Sequence, residues 1–252
     1  MKNSKPSSNR KALPKFLFLV LIFSVIGFII GLISGRMETT DLPTSLALLF
    51  NEGIVAIAPY SIWIITAVLS IAELRLYNQA HSLYTGWDGE DEQPISTAET
   101  KLSWTLLLAN TNLVINFFFF GTIHILIRNH AITEFLFTLA GFIIGIILIM
   151  IVQQKVVDLT KKINPEKKGS VYDTRFRQIW MDSCDENEKI LIGKASYKAF
   201  IVTSNLCIAL WVILLMISSI YPIGMLPIFL VTLIWGVLSG VYCLETLRLE
   251  KH

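Results

Sequence analysis

The stretch "TNLVINFFFF" (111–120) places two primary amides, Asn112 and Asn116, four residues apart in an apolar run. On a helix that spacing sets both on one face. Each amide brings two donors and an acceptor into surroundings that cannot satisfy them, so each needs a partner across a helix interface. "SNLCIALWVI" (204–213) opens the same way ninety-three residues later. Asn205 would then take the equivalent place, and an Asn112–Asn205 contact would satisfy both. Such interhelical bonds contribute ~0.6 kcal/mol on average, which sets register more than stability. The other chemistry open to Asn110, Asn112, Asn116 and Asn205 is a polar path for a solute. Against a path stands the lack of Asp, Glu, Lys or Arg in the middle of any apolar run, since ion and proton relays need such groups.

Other reactive types are less suggestive. His124 and His130 flank Arg128; six residues apart they fall on nearly opposite sides of a helix, whereas metal pairs favour i, i+4. The carboxylates of "WDGEDEQ" (87–93) could attract a divalent cation, but they lack the ordered spacing of a calcium loop. A solvated loop, or a docking site for a basic partner, is the expectation there. No H-E-x-x-H, G-x-S-x-G or phosphate-binding glycine loop occurs. The chain is therefore expected to be no enzyme, with no catalytic residues, cofactor or metal. It also lacks the basic, aromatic-interleaved surface that nucleic acid requires. Cys184, Cys207 and Cys243 suggest reduced thiols rather than a disulfide framework.

The elements that must carry these residues are clearer. Of 252 residues, 54% are hydrophobic and only 16% charged, with a mean hydropathy of +0.61; a soluble domain carries about 25% charged residues. Six stretches meet the ~20 apolar residues that a helix needs to cross a bilayer: 16–35, 53–72, 104–127, 135–152, 200–220 and 226–244. The fold class is all-α, a single polytopic membrane bundle of six transmembrane helices. Lysine and arginine alternate between the connecting segments, nineteen on one side against two on the other. Positive residues stay inside, so both termini and the loops 73–103 and 153–199 are cytoplasmic. The first run is about the full spanning length and no A-x-A site follows it, which favours an uncleaved span over a secretory signal.

Each inner loop contains a helix-start signature, Ser96-Thr-Ala-Glu99 and Ser183-Cys-Asp-Glu186, in which hydroxyl and carboxylate cap each other's amides. Spans three and five are accordingly expected to begin in the cytoplasm. In the outer loop after span one, "LPTSLALLF" suits a brief interfacial helix. A gapless shift of 93 superposes Trp87 on Trp180, Ser103 on Ser196, Thr111 on Ser204 and Asn112 on Asn205; "AELRLY" and "ETLRLE" close spans two and six. Same-orientation helical hairpins explain these matches, although "GFIIG" at 27–31 and 141–145 recurs in spans of opposite direction. Small-xxx-small stripes at Gly27/Gly31/Gly35, Gly141/Gly145 and Gly236/Gly240 let helix backbones approach closely, either within the bundle or at the face of a homo-oligomer.

The second inner loop, "SVYDTRFRQIWMDSCDENEKILIGKASYKAFIVTSN" (170–205), resembles the most recognisable region of a domain-of-unknown-function family of Gram-positive bacterial membrane proteins. Those proteins have similar length and a six-span layout. The resemblance implies a plasma-membrane location in a Gram-positive bacterium and supplies no activity. Three functions stay open. In the first, the chain is a non-catalytic multi-pass protein acting through a partner at its cytoplasmic loops, with Tyr172, Phe176 and Trp180 as anchors and Lys161, Lys162, Lys167 and Lys168 as a basic patch. In the second it is the membrane subunit of an ABC-type exporter, docking a separate ATPase. In the third it is a stand-alone channel or facilitator.

Overall fold

Long apolar runs in a lipid solvent must satisfy their backbone internally, and the helix does so within one segment. A computed structural model of the chain is accordingly all-helical among the described residues, which are 42–122, 132–220 and 223–249 together with Phe18 and Val25. The first expected span, with Gly27, Gly31 and Gly35, lies outside them apart from Phe18 and Val25. His124, Arg128 and His130 also lie outside them.

Six helices follow in order among those residues: α1 (Leu42–Thr85), α2 (Gln93–Phe120), α3 (Ile132–Ile163), α4 (Phe176–Asp182), α5 (Glu186–Ile220) and α6 (Leu226–Leu249). All but the short α4 are long and apolar enough to cross a membrane. The chain divides into two compact units, residues 48–192 and residues 1–47 with 193–252.

In the 48–192 unit, one face of α1 carries Ala58, Ile62, Thr66, Ser70, Glu73, Tyr77 and Ala80, in steps of three and four residues. It meets α2 and α3 in three successive layers. Ala58, Ile62 and Phe119 form an apolar cluster at one end, packed by Trp63, Ile65, Ile115 and Phe142. Ala80, Ala98, Leu102, Val156 and Leu159 form another at the opposite end, packed by Tyr77, Leu83, Tyr84, Leu106 and Ile163. Between them lies a polar layer. Glycine makes the close approach possible: a Cβ at Gly141 would stand 2.9 Å from Ile62 Cγ2, and one at Gly145 only 2.6 Å from Asn116 Oδ1. Trp63 fixes α3 further by donating from Nε1 to the Phe137 carbonyl (3.1 Å) while its ring stacks on Phe137.

In the other unit, the ring of Tyr242 on α6 stacks on Phe200 of α5 with centroids 4.4 Å apart. Among the described residues, a Cβ at Gly236 or Gly240 would meet nothing within 4 Å.

Several boundaries differ from expectation. The "LPTSLALLF" segment is the start of α1 rather than a separate helix. The helices also run on past the apolar stretches, so the segments 73–103 and 153–199 are largely helical, and only 86–92 and 164–185 interrupt them. Ser96 and Glu99 lie inside α2, which starts at Gln93 with a proline in its first turn. At α5 the reciprocal cap forms two residues later than its signature. Glu188 N donates to Asp185 Oδ1 (2.7 Å) and Asp185 N to Glu188 Oε2 (2.9 Å). Aspartate replaces serine as the capping acceptor, which physics permits equally well.

Candidate functional site

Among the described residues, the buried side chains of ionisable type with a formal charge are Glu73 and Lys167. They lie in different parts of the 48–192 unit and are handled in opposite ways.

Glu73 is the first residue after the apolar run 53–72, but α1 continues for twelve residues beyond it and its side chain is fully enclosed. Asn112 Nδ2 donates to its Oε1 at 3.1 Å. Asn116, one turn further along α2, donates to Asn112 Oδ1 (2.9 Å) and to Thr66 Oγ1 (2.9 Å). The result is a chain of polar groups, Glu73–Asn112–Asn116–Thr66, spanning two turns of α1. Two groups on this face of α1 remain unmet: Glu73 Oε2 and the hydroxyl of Ser70 have no hydrogen-bond partner among the described residues. The amides expected to need a helix partner thus have one in α1. Asn205 belongs to the other unit and is exposed, and Asn110 accepts a long bond from Gln153 (3.4 Å).

Lys167 stands in the connection from α3 to α5. Its ammonium forms an ion pair with Glu188, donates to Cys184 Sγ at 3.2 Å and lies 5.5 Å from the Trp180 ring centroid. Burial pulls the lysine down, but hydrogen bonds and charge from Glu188 and Cys184 outweigh it and hold the group above the usual lysine range. Since Glu188 also closes the cap of α5, one carboxylate ties the helix start to the connection.

The rest of the connection is equally determined. Gln154 Oε1 of α3 accepts from Ser170 Oγ (3.0 Å) and Val171 N (2.8 Å). Lys161 donates to the Gly169 carbonyl (3.0 Å) and pairs with Asp158 (2.9 Å). Gly169 has φ +117 and would place a Cβ 2.9 Å from the Phe176 ring, so only glycine suits that turn. Residues 164–185 are therefore a folded lobe. Beside it, a cavity of about 760 Å³ opens between α2, α3 and the lobe; Asn110, Gln153, Asp173 and Arg177 supply its polar lining, and Phe176 and Trp180 its aromatic wall.

A family model for proteins of unknown function matches residues 10–245, nearly the whole chain. The chain belongs to the DUF3169 family. No curated protein and no solved structure matches this DUF3169 chain.

Of its predicted interaction residues, Tyr172 is exposed, while Phe176 and Trp180 are half-buried against the lobe and its cavity. The expected patch of four lysines is not one surface. Lys167 is buried and Lys161 is engaged within the lobe, leaving Lys162 and Lys168 exposed. A lysine directly beside another lysine gives no local sign of burial; its partners Cys184 and Glu188 are 17 and 21 residues away. The apolar run 53–72 ends before Glu73, so composition alone leaves this residue outside the second span. The pattern Thr66, Ser70, Glu73 on one helical face is the signal that would have found it.

Proposed function

We propose that this DUF3169 protein is a non-catalytic multi-pass protein of a Gram-positive plasma membrane, acting through a protein partner that docks on the cytoplasmic lobe 164–185. One observation carries the reading: the connection between two membrane-compatible helices is folded around a buried lysine. Joining two helices requires only a short turn. A connection held by Lys167, Gln154 and Gly169 instead presents Tyr172, Arg177 and Met181 in fixed positions. Tyrosine and arginine are frequent binding anchors, and an ordered loop avoids the entropy cost of ordering on association. The cytoplasmic placement rests on the charge asymmetry, nineteen against two.

The test is co-purification of the tagged full chain in mild detergent, comparing the native protein with a Tyr172→Ala/Arg177→Glu variant and a Lys162→Glu control. A stoichiometric protein retained by the control and lost from the double variant supports the docking face. An ATPase as that protein would make the chain the membrane subunit of an exporter. Recovery of the native chain alone sinks the reading.

Transport by the chain itself is a second reading, favoured by Glu73. The argument against a polar path was the absence of charge from the spans, and this carboxylate lies enclosed in a helix that qualifies as a span. Solute flux into liposomes, abolished by Asn112→Leu/Asn116→Leu in a folded protein, would establish it.

A further inference from the structure

The polar layer holds a carboxylate that its surroundings do not balance. Asn112 satisfies Glu73 Oε1, but Oε2 lacks a donor, and the Ser70 hydroxyl one turn earlier on the same face is likewise unmet among the described residues. Both neighbouring layers are apolar, and the cavity beside the lobe reaches one of them at Leu106 and Val156. Among the described residues, no cation pairs with Glu73. On α1 itself Arg75 is exposed and Tyr77 belongs to the next layer. On α3, Lys155 lies over the Tyr77 ring, 5.7 Å from its centroid, and Asp158 pairs with Lys161. On α2, Lys101 donates to Gln79 at 2.7 Å. Enclosing an ionised carboxylate without a counter-charge is unfavourable, because its lost hydration is not replaced, and ionisable groups inside membrane helices mark ion and proton pathways.

We propose that Glu73 is an exchangeable proton site: Oε2 carries a proton while the layer is closed and releases it when the apolar cluster around Tyr77, Leu102 and Val156 parts and admits water. The unmet oxygen is the atom that takes the proton, because the other is already held by Asn112. The bound species is a proton rather than a metal ion. Glu73 is the layer's one carboxylate, and the side-chain amides nearest it present donors, with Asn112 Oδ1 already accepting from Asn116. A bare cation would need several oxygen ligands. Release would leave a negative charge in the layer, so the open and closed arrangements of α1 against α2 would respond to proton supply. This goes beyond partner docking and stands independently of it.

The experiment is infrared spectroscopy of the full chain in lipid nanodiscs at neutral pH in sodium-free buffer. Wild type is compared with Glu73→Gln, which keeps an acceptor for Asn112 without a titratable group. The expected result is a protonated-carboxyl carbonyl band in wild type that is absent from Glu73→Gln and moves in protein grown on carboxyl-labelled glutamate. Should the variant fold poorly, the label still assigns the wild-type band to a glutamate, and Glu73 is the buried one among the described residues. Thermal melting of Glu73→Gln is expected to match wild type, since the amide mimics the neutral acid. Absence of the band in labelled wild type would overturn the proposal. So would a band that disappears on adding sodium, which would make the site a sodium site.

Discussion

Two buried charges divide this protein. Lys167 is held by an opposite charge, a thiol and an aromatic face, whereas Glu73 is held by a single neutral amide. A buried ion that meets its counter-ion is a fixed part of the fold, and breaking such a pair is expensive because the survivor stays uncompensated. One that meets only a dipole has its charged form left unbalanced, and a change of protonation state is the cheapest remedy. The first arrangement locks a lobe in place. The second leaves a group free to change state. The same unit therefore contains a part built for permanence and a part built for exchange.

The comparison is broken most directly at Lys167. Lys167→Met is expected to destabilise the lobe by about 3 kcal/mol, the lower end for a buried pair, since Glu188 keeps part of its side chain in water. Hydrogen exchange should accelerate across 164–188 while the three-layer packing of α1, α2 and α3 keeps its protection; unchanged exchange in the lobe would show that the lysine holds nothing. The same pair has a pH signature. Its folded-state value is raised, so its stabilisation is complete below the ordinary lysine value of 10.5 and is lost as pH rises from there through the raised value. Lobe protection in wild type should therefore hold from neutral pH up to that range and then decline, and Lys167→Met should lack the decline.

The polar layer is more sensitive to volume than to charge. Gly145→Ala puts a methyl group 2.6 Å from Asn116 Oδ1, and overpacking of this kind costs about 2 kcal/mol. A detergent melting curve would show it. Asn112→Leu removes the donor that Glu73 has, at about 1–2 kcal/mol for the unmet acceptor. Asn205→Leu, at an exposed position, should cost much less. Equal losses at the two asparagines would contradict the environments described for them and restore the expected equivalence of "TNL" and "SNL".

How much of this was readable in the sequence depends on how far each determinant reaches along the chain. Membrane-spanning length is a local property of composition, and α1, α2, α3, α5 and α6, each long and apolar enough to span, overlap the expected spans from the second onward, although α2 ends at Phe120, short of the expected 127. The burial of Asn112 and Asn116 was foreseeable too, because an amide pair at i, i+4 in an apolar run must face a neighbour. The identity of that neighbour was not. Glu73 is 39 residues away and lies past the end of the apolar run that defined its span. Lys167 was hidden by its own neighbourhood, since "EKKGS" presents two adjacent lysines and only a distant carboxylate and thiol decide which one goes inside. Helix starts failed for a different reason. Short capping signatures overlap, and at α5 Asp185 and Glu188 form the cap in place of Ser183 and Glu186.

The smallest expected effect sharpens the reading of the glycine stripes. Gly141 and Gly145 each have a neighbour inside 3 Å of where a Cβ would stand, while Gly236 and Gly240 have nothing within 4 Å among the described residues. Identical spacing on α3 and α6 therefore serves packing in the first case, with no such contact in the second. Alanine at Gly236 or Gly240 should change the melting temperature little, within about 0.5 kcal/mol, and any shift should be upward because alanine favours the helix. A loss as large as that of Gly145→Ala would mean that the α6 stripe is pressed against another backbone in the membrane. Size measurement in detergent, with and without the substitution, would then tell whether that backbone belongs to a second copy: dissociation to a smaller species says that it does, and an unchanged size assigns the contact to the same chain.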